Sequence, residues 1–298
     1  HITLAMLRYQ LLPDLSLRVG RTRLPFFMLS DSLNLNYANP WVRPPVEVYT
    51  LGVFADLDGI DALYSTSVGA VDVEMQVFGG RSNIDIPDGN ARLRQARGAK
   101  LGLSYGGLSL QFTHTAARLD LFWGDPGFTR LVSALQASPF AAVANDLSGS
   151  GSPVQFSSAG FQWEESNWLV IGEYARRKVD RFISSNHGWY LSAAYRLGNF
   201  QPFVTVARQG MDAPTSNAAI PVPALAAGLE AFNASRNSAG NSVGVGLRWE
   251  ASRNIALKGQ VERFHAASQG RSIFRPDAVT QEIRGPITVI SLSMDFLF

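Results

Sequence analysis

The chain has no cysteine, which removes disulfide frameworks, thiolate metal sites and cysteine nucleophiles together. It lacks any uninterrupted apolar stretch of about 18 residues, the length a membrane-spanning helix needs. Charge is scarce: Asp, Glu, Lys and Arg make up 17% of residues, below the roughly 25% usual for soluble domains. The signs nearly cancel, with 26 Lys+Arg against 24 Asp+Glu. No basic field therefore exists to recruit nucleic acid, and no run of like charges marks an interaction tail. The four histidines, His1, His114, His187 and His265, have no partner at a spacing that announces a catalytic centre. Gly-x-Gly-x-x-Gly, Walker-type, His-Glu-x-x-His and calcium-loop patterns are absent as well. An enzyme would need a nucleophile, a base and an orienting group; the reading is therefore not an enzyme, with a hydrolase as the minor alternative. The start, His1-Ile2-Thr3, carries no signal-peptide pattern, so an exported chain is expected here after processing or truncation.

What is present is alternation. Hydrophobic residues reach 46%, with 27 Gly and 11% aromatics, and they recur at every second position. From 286 to the end, Thr288, Ile290, Leu292, Met294, Phe296 and Phe298 face Val289, Ser291, Ser293 and Asp295 across the strand. Around 255–264, Ile255, Leu257, Gly259 and Val261 alternate with Lys258, Gln260 and Glu262. Around 243–250, Val243, Val245, Leu247 and Trp249 alternate with Arg248 and Glu250. Similar segments lie near 5–10, 15–19, 71–77, 99–105, 108–115 and 189–197, with weaker ones near 59–66, 153–163, 167–178 and 200–209. The sum is about thirteen strands.

Connections alternate between short and long. Leu12-Pro13-Asp14, 67–70, Gly106-Gly107, Glu164-Glu165-Ser166, Gly198-Asn199 and Ser252-Arg253 are short; 25–58, 82–97, 119–152, 179–186, 210–239 and 266–285 are longer. Membrane barrels place short turns on the periplasmic side and long loops outside. In hydrocarbon every backbone polar group must pair within the protein, so a sheet must close on itself. The expected fold is an all-β, transmembrane, antiparallel up-and-down barrel forming a single domain over 1–298. Apolar positions then face lipid, and the alternate charges, including Arg8, Arg18, Asp72, Glu74, Lys100, Arg196, Arg248, Glu250, Lys258, Glu262 and Asp295, face a wet lumen. Tyr9, Tyr105, Trp163, Trp168, Trp189 and Trp249 are candidates for interfacial girdles or for plain packing. The first strand precedes a short turn, so it runs downward, and an even strand count places an odd number of strands before it.

Several segments resemble Gram-negative porins. Ile290-Ser-Leu-Ser-Met-Asp-Phe-Leu-Phe298 is similar to their closing strand, which implies recognition by the barrel-assembly machinery through Phe298. Leu4 to Phe27 looks like a porin strand–turn–strand, with Arg18-Val-Gly-Arg21 similar to a recurrent Arg-x-Gly-Arg; Ser30 to Tyr49 resembles a proteobacterial porin-like group. The resemblance implies about sixteen strands in the complete protein. It further implies an inward-folded third loop at 25–58, a homotrimer, and outer-membrane lipid and lipopolysaccharide as neighbours. The implied function is passive passage of small polar solutes through a water-filled lumen. No cofactor or metal is implied.

Loop 25–58 is the candidate constriction. It carries Asp31, Arg43 and Glu47, stiffened by Pro40, Pro44 and Pro45, with Arg8, Arg18 and Arg21 on or near the facing wall. Opposed charges would filter solutes by size and field; alternatively, Asp31 and Arg43 only tie the loop to the wall. Phe128 to Val143 and Ala218 to Phe232 read as short helices that pack loops or cover the pore mouth. A barrel with a blocked lumen, acting as a structural element or receptor, is the principal alternative to a pore.

Overall fold

The computed structural model describes residues 4–30, 37, 39–267, 274 and 285–297. Thirteen antiparallel strands form one sheet in chain order. They are β1 (Ala5–Leu12), β2 (Leu15–Arg23), β3 (Asp56–Val68), β4 (Val71–Ile86), β5 (Gly89–Tyr105), β6 (Leu108–Trp123), β7 (Ser152–Glu165), β8 (Trp168–Val179), β9 (Ser185–Tyr195), β10 (Phe200–Ala213), β11 (Gly240–Ser252), β12 (Ile255–Ala266) and β13 (Ile287–Phe296). Four helices lie in the longer connections: α1 (Val46–Tyr49), α2 (Pro126–Gln136), α3 (Ala141–Asp146) and α4 (Pro223–Arg236). None of the described helices is long and apolar enough to cross a membrane, so crossing falls to the strands. Every strand pairs with its sequence neighbour, and among the described residues β1 and β13 do not pair with each other. Both run in the same direction.

The two faces separate as the alternation predicts. Leu292 is 81% exposed, whereas Lys258, Glu262 and Lys100 are 3%, 7% and 8% exposed. Leu292, Val261, Val245, Val204 and Leu191 project outward at successive strands and build an apolar belt. Trp168, Phe200, Trp249 and Phe296 are exposed near the short-turn ends of their strands, where ring bodies reach the lipid interface. The turns there are tight: Gly69, Gly106 and Gly198 adopt φ between 54° and 63°, a region glycine enters without a Cβ clash.

One segment departs from the expected layout. The stretch 82–97 is not a connection but the tops of β4 and β5, joined at Pro87-Asp88, with Asp88 at φ 61°. Two changes hide these strands from a period-two reading. A bulge at Gln95 (φ 53°) shifts the register between Arg94 and Arg97, so a strict alternation counted from Tyr105 misassigns Leu93. Above the belt the polarity also reverses: Leu93, Leu119 and Phe156 point inward and are buried, while Arg92, Arg94 and Arg118 are exposed. Outside hydrocarbon, water wets the outer face and the inner face becomes the dry one.

The helices cap this upper end. Asp125 caps α2 by accepting the Phe128 N–H at 2.7 Å, and Pro126 occupies its first turn. The apolar run near 128–143 divides into α2 and α3 around Pro139. Leu135, Leu147, Leu229 and Phe232 form a second core between the helices. The Arg236 guanidinium lies 4.4 Å from the Trp123 ring centroid, 4.8 Å from Phe182 and 4.9 Å from Phe232.

Charge on the belt and charge on the inner wall have different costs. Leu292→Arg is expected to destabilise the bilayer-inserted protein by about 2–4 kcal/mol, and Ser65→Arg on the inward face by less than about 1 kcal/mol. Denaturant unfolding from liposomes, followed by heat-modifiable gel mobility, measures both; equal costs would reverse the assignment of the faces.

Candidate pore and inward loop

The connection between β2 and β3 turns into the ring instead of standing above it. Its apolar residues Phe26, Phe27, Trp41, Val48, Leu51 and Phe54 are buried in one core with inward residues Phe156, Ile171, Tyr190 and Phe203. Phe27 stacks on Tyr49 at 4.5 Å, and Phe26 lies 4.6 Å from Phe156. The lumen beside β7–β10 is therefore filled by packed side chains and is dry, a correction to the expectation of a uniformly wet inner wall.

Polar contacts fasten the loop around the ring. Glu173 accepts the Met28 N–H at 2.9 Å and the Tyr49 hydroxyl at 3.2 Å. Ser158 donates to Phe26 O at 2.6 Å, and Gln111 to Phe27 O at 3.0 Å. On the far wall Val42 N–H donates to Gln260 Oε1 at 2.9 Å, Arg248 to Tyr37 O at 2.6 Å, and Lys258 to Trp41 O at 3.4 Å. The backbone groups of a buried loop need such partners.

The sequence-predicted residues sort accordingly. Arg18 points inward and meets Asp61 at 2.6 Å. Glu74 and Lys100 pair across β4–β5 at 2.6 Å. Asp72 accepts from Ser67 at 2.6 Å near the short-turn end. Arg43 reaches across from the loop to Ser291 Oγ (3.1 Å) and Glu262 (3.6 Å). Lys258 also pairs with Asp295 at 2.8 Å, and Arg248 with Glu250 at 3.3 Å. Glu47 is buried in α1 against the inner wall. Arg8 shares the inward face of β1 with its partner Arg18 but is exposed. Arg21 is a correction. It stands three positions from Arg18, an odd step that turns it to the face of Leu17 and Val19, where Asp58 holds it through contacts of 2.6 and 2.8 Å. Asp31 and Phe298 lie outside the described residues.

Glu74, Asp72, Ser104, Gln111 and Met28 line a cavity of about 550 Å3 beside the lower wall. Asp61 and Glu173 were not singled out from sequence, whereas Gln260 and Asp295 stood there as inward-facing positions. Asp61 and Glu173 lie in strands whose alternation is faint, because their inward neighbours Leu63 and Ile171 are apolar. Two Gly-x-Ser-x-Gly spacings occur in the chain, Gly102–Gly106 and Gly240–Gly244. Ser104 contacts Ser109 at 3.1 Å at the end of β5, and Ser242 lies within β11, hydrogen-bonding Glu47. Neither stands on a strand-to-helix elbow. His114 contacts Ser157 at 2.8 Å between β6 and β7 on the outward face, a pairing that a separation of 43 positions conceals in the sequence.

Loop docking is testable at two carboxyls. Glu173→Leu strands the Met28 N–H and the Tyr49 hydroxyl and is expected to cost about 2 kcal/mol; faster tryptic cleavage after Arg43 would report it. Burial pushes the Glu47 carboxyl above the usual carboxylate range, with the Ser242 hydrogen bond opposing. The docked state thus holds this proton more tightly than the unfolded chain, and stability falls as pH rises through and beyond the ordinary carboxyl range. Glu47→Gln is expected to raise the thermal midpoint at pH 7, with the gain vanishing below about pH 4. A gain that persists at low pH contradicts this account.

No protein-family model matches the chain, and no curated protein sequence matches it. Solved structures do. An anion-selective porin from Comamonas acidovorans matches at 13% identity with a TM-score of 0.50, over 85% of this chain and 65% of that one. OmpF of Salmonella typhi, in complex with daunomycin, matches at 11% identity and TM-score 0.51, over 85% and 67%. OmpT, an outer membrane protein of Vibrio cholerae solved in a trimer form, matches at 9% identity and TM-score 0.55, over 96% and 78%. The chain thus spans about two thirds of the length of the first two. With its apolar belt and its thirteen-stranded antiparallel sheet, the chain has the fold of the Gram-negative outer-membrane porins.

Proposed function

We propose that the chain is a non-enzymatic channel of the outer membrane, passing small polar solutes through an aperture set by the inward loop. The observation that carries this reading is the loop's double attachment, to Glu173 on β8 and to Gln260, Lys258 and Arg248 on β11–β12. A loop tied at both sides narrows the ring without relying on its own rigidity. The remaining passage runs along polar wall. Arg43 and Glu262 form one charged margin, and Glu74 with Lys100 forms another. Charges so placed discriminate among solutes by field as well as by size.

Neighbours of the barrel belong to the same reading. The likeness to a barrel solved in a trimer form supports a homotrimer. Lipid covers the belt. Exposed Arg92, Arg94, Arg97 and Arg176 above the belt suit lipopolysaccharide phosphates. Delivery to the membrane is assigned to the barrel-assembly machinery acting on the C-terminal strand. The helical cap favours a second reading, a blocked barrel that serves as a receptor or structural element.

Planar-bilayer recording separates the two. The channel reading expects stepwise currents, and expects replacement of residues 39–52 by a short Gly-Ser link to raise conductance at least about threefold, since a steric constriction limits flow. Silent membranes for both proteins would leave the receptor reading in its place.

A further inference from the structure

Above the inward loop lies a cavity of about 100 Å3 that the polar passage does not use. Leu93, Leu119, Val154 and Phe156 from the wall, with Phe26 and Phe54 from the loop, make its lining apolar. Only Thr115 and Arg177 interrupt that lining with polar side chains. Thr115 Oγ1 and Arg177 Nε are buried, and neither has a hydrogen-bond partner among the described residues. The other two Arg177 nitrogens donate to carbonyls, Nη1 to Leu51 O at 3.2 Å and Nη2 to Ser184 O at 3.3 Å. These bonds fix the guanidinium plane and leave its charge uncompensated. Among the described residues Arg177 forms no ion pair, while Arg18, Arg94, Arg176 and Arg248 each have a carboxylate.

Arg177 is half-buried with its Nε enclosed, and a cation so held without a counter-ion is costly in an apolar setting. An anion would balance that charge, and the walls dictate what it carries. A buried water needs two to four polar partners, which this lining supplies poorly. A dry apolar cavity of about 150 Å3 accepts benzene; this one is about two thirds of that size but partly open, so the body it takes is at most a single ring. We propose that this cavity binds a small apolar monocarboxylate, a single ring or short branched chain, with its carboxylate on Arg177 and its body against Leu93, Leu119 and Phe156. The Thr115 hydroxyl supplies a further donor to the carboxylate. The cavity lies at the capped end: Ile183 lines it, and the adjacent Phe182 packs with the cap aromatics Phe128 and Phe232. Binding stands on these contacts alone. Only carriage of the bound acid through the membrane rests on the channel reading.

Calorimetry on the full chain in detergent, with benzoate as probe and benzamide as its neutral analogue, decides the matter. Saturable benzoate binding, at least about tenfold tighter than benzamide, is expected from a charge-assisted pair. Arg177→Met should weaken benzoate by at least about tenfold and leave benzamide unchanged. Because that variant also removes one tie to the inward loop and one to the β8–β9 connection, Ala117→Phe, which fills the cavity from β6, provides a separate check and should abolish both. Absence of saturable benzoate binding to the unmodified protein, equal affinity for benzamide, or undiminished benzoate binding in both variants overturns the proposal. Bilayer currents from the same preparation keep the readings apart. Currents without benzoate binding remove the ligand only, and benzoate binding without currents removes the channel only.

Discussion

Each strand crosses from one solvent to another, and that crossing governs the whole molecule. Within hydrocarbon the sheet must bury its backbone polar groups by pairing and show apolar side chains outward. Above the membrane the outer face meets water. The same strand then keeps its hydrogen-bond ladder and exchanges its faces. On β5 the outward series Tyr105, Leu103, Leu101 and Ala99 gives way to Arg97, Arg94 and Arg92, and the bulge at Gln95 falls at that change. On β6 Phe112 lies below and Arg118 above. The lumen is thus a polar wall low down and a hydrophobic one higher up, for reasons that concern the outside first.

The inward loop is the complement of that divided wall. A loop of ordinary polarity would be soluble above the barrel and would have no cause to enter it. This one carries Phe26, Phe27, Trp41, Val48, Leu51 and Phe54, which find burial only against the apolar part of the inner wall. Its backbone then forgoes water, and inward polar residues of the strands take over: Gln111, Ser158, Glu173, Arg248 and Gln260 each bond a main-chain group of the loop. The inward polar side chains therefore do two things. Some carry the charge of the passage, and others replace solvent for the loop.

That dual use explains what was legible in the sequence. Where the inward side chains are polar or charged all along, as on β11, β12 and β13, alternation alone shows strand and facing. Where the inner face meets the loop, as on β8, Ile171 and Ala175 are as apolar as the outward Val170, the period fades, and Glu173 is lost among them. The long connection 25–58 was recognisable by length and prolines. Its apolar residues, which drive it inward, look in sequence like any other hydrophobic patches. Arg21 was misplaced for a simpler reason: a motif suggested one wall for both of its arginines, and strand parity forbids that. The helices of the cap were visible as apolar stretches, and Pro139 and Pro223 fix where they break and begin.

Arg177 is where these requirements conflict. Its position on β8 is inward, yet it lies above the belt, where inward means dry. The surrounding residues obey that rule, and Arg177 alone among the inward residues lining the upper cavity brings a full charge. Structural need accounts for part of it, since Leu51 O and Ser184 O, one in each of two connections, are carbonyls that the fold must satisfy. A neutral donor such as Gln meets that need without charge in an apolar site. The charge itself therefore asks for a reason beyond folding, and an anion supplied from outside provides it.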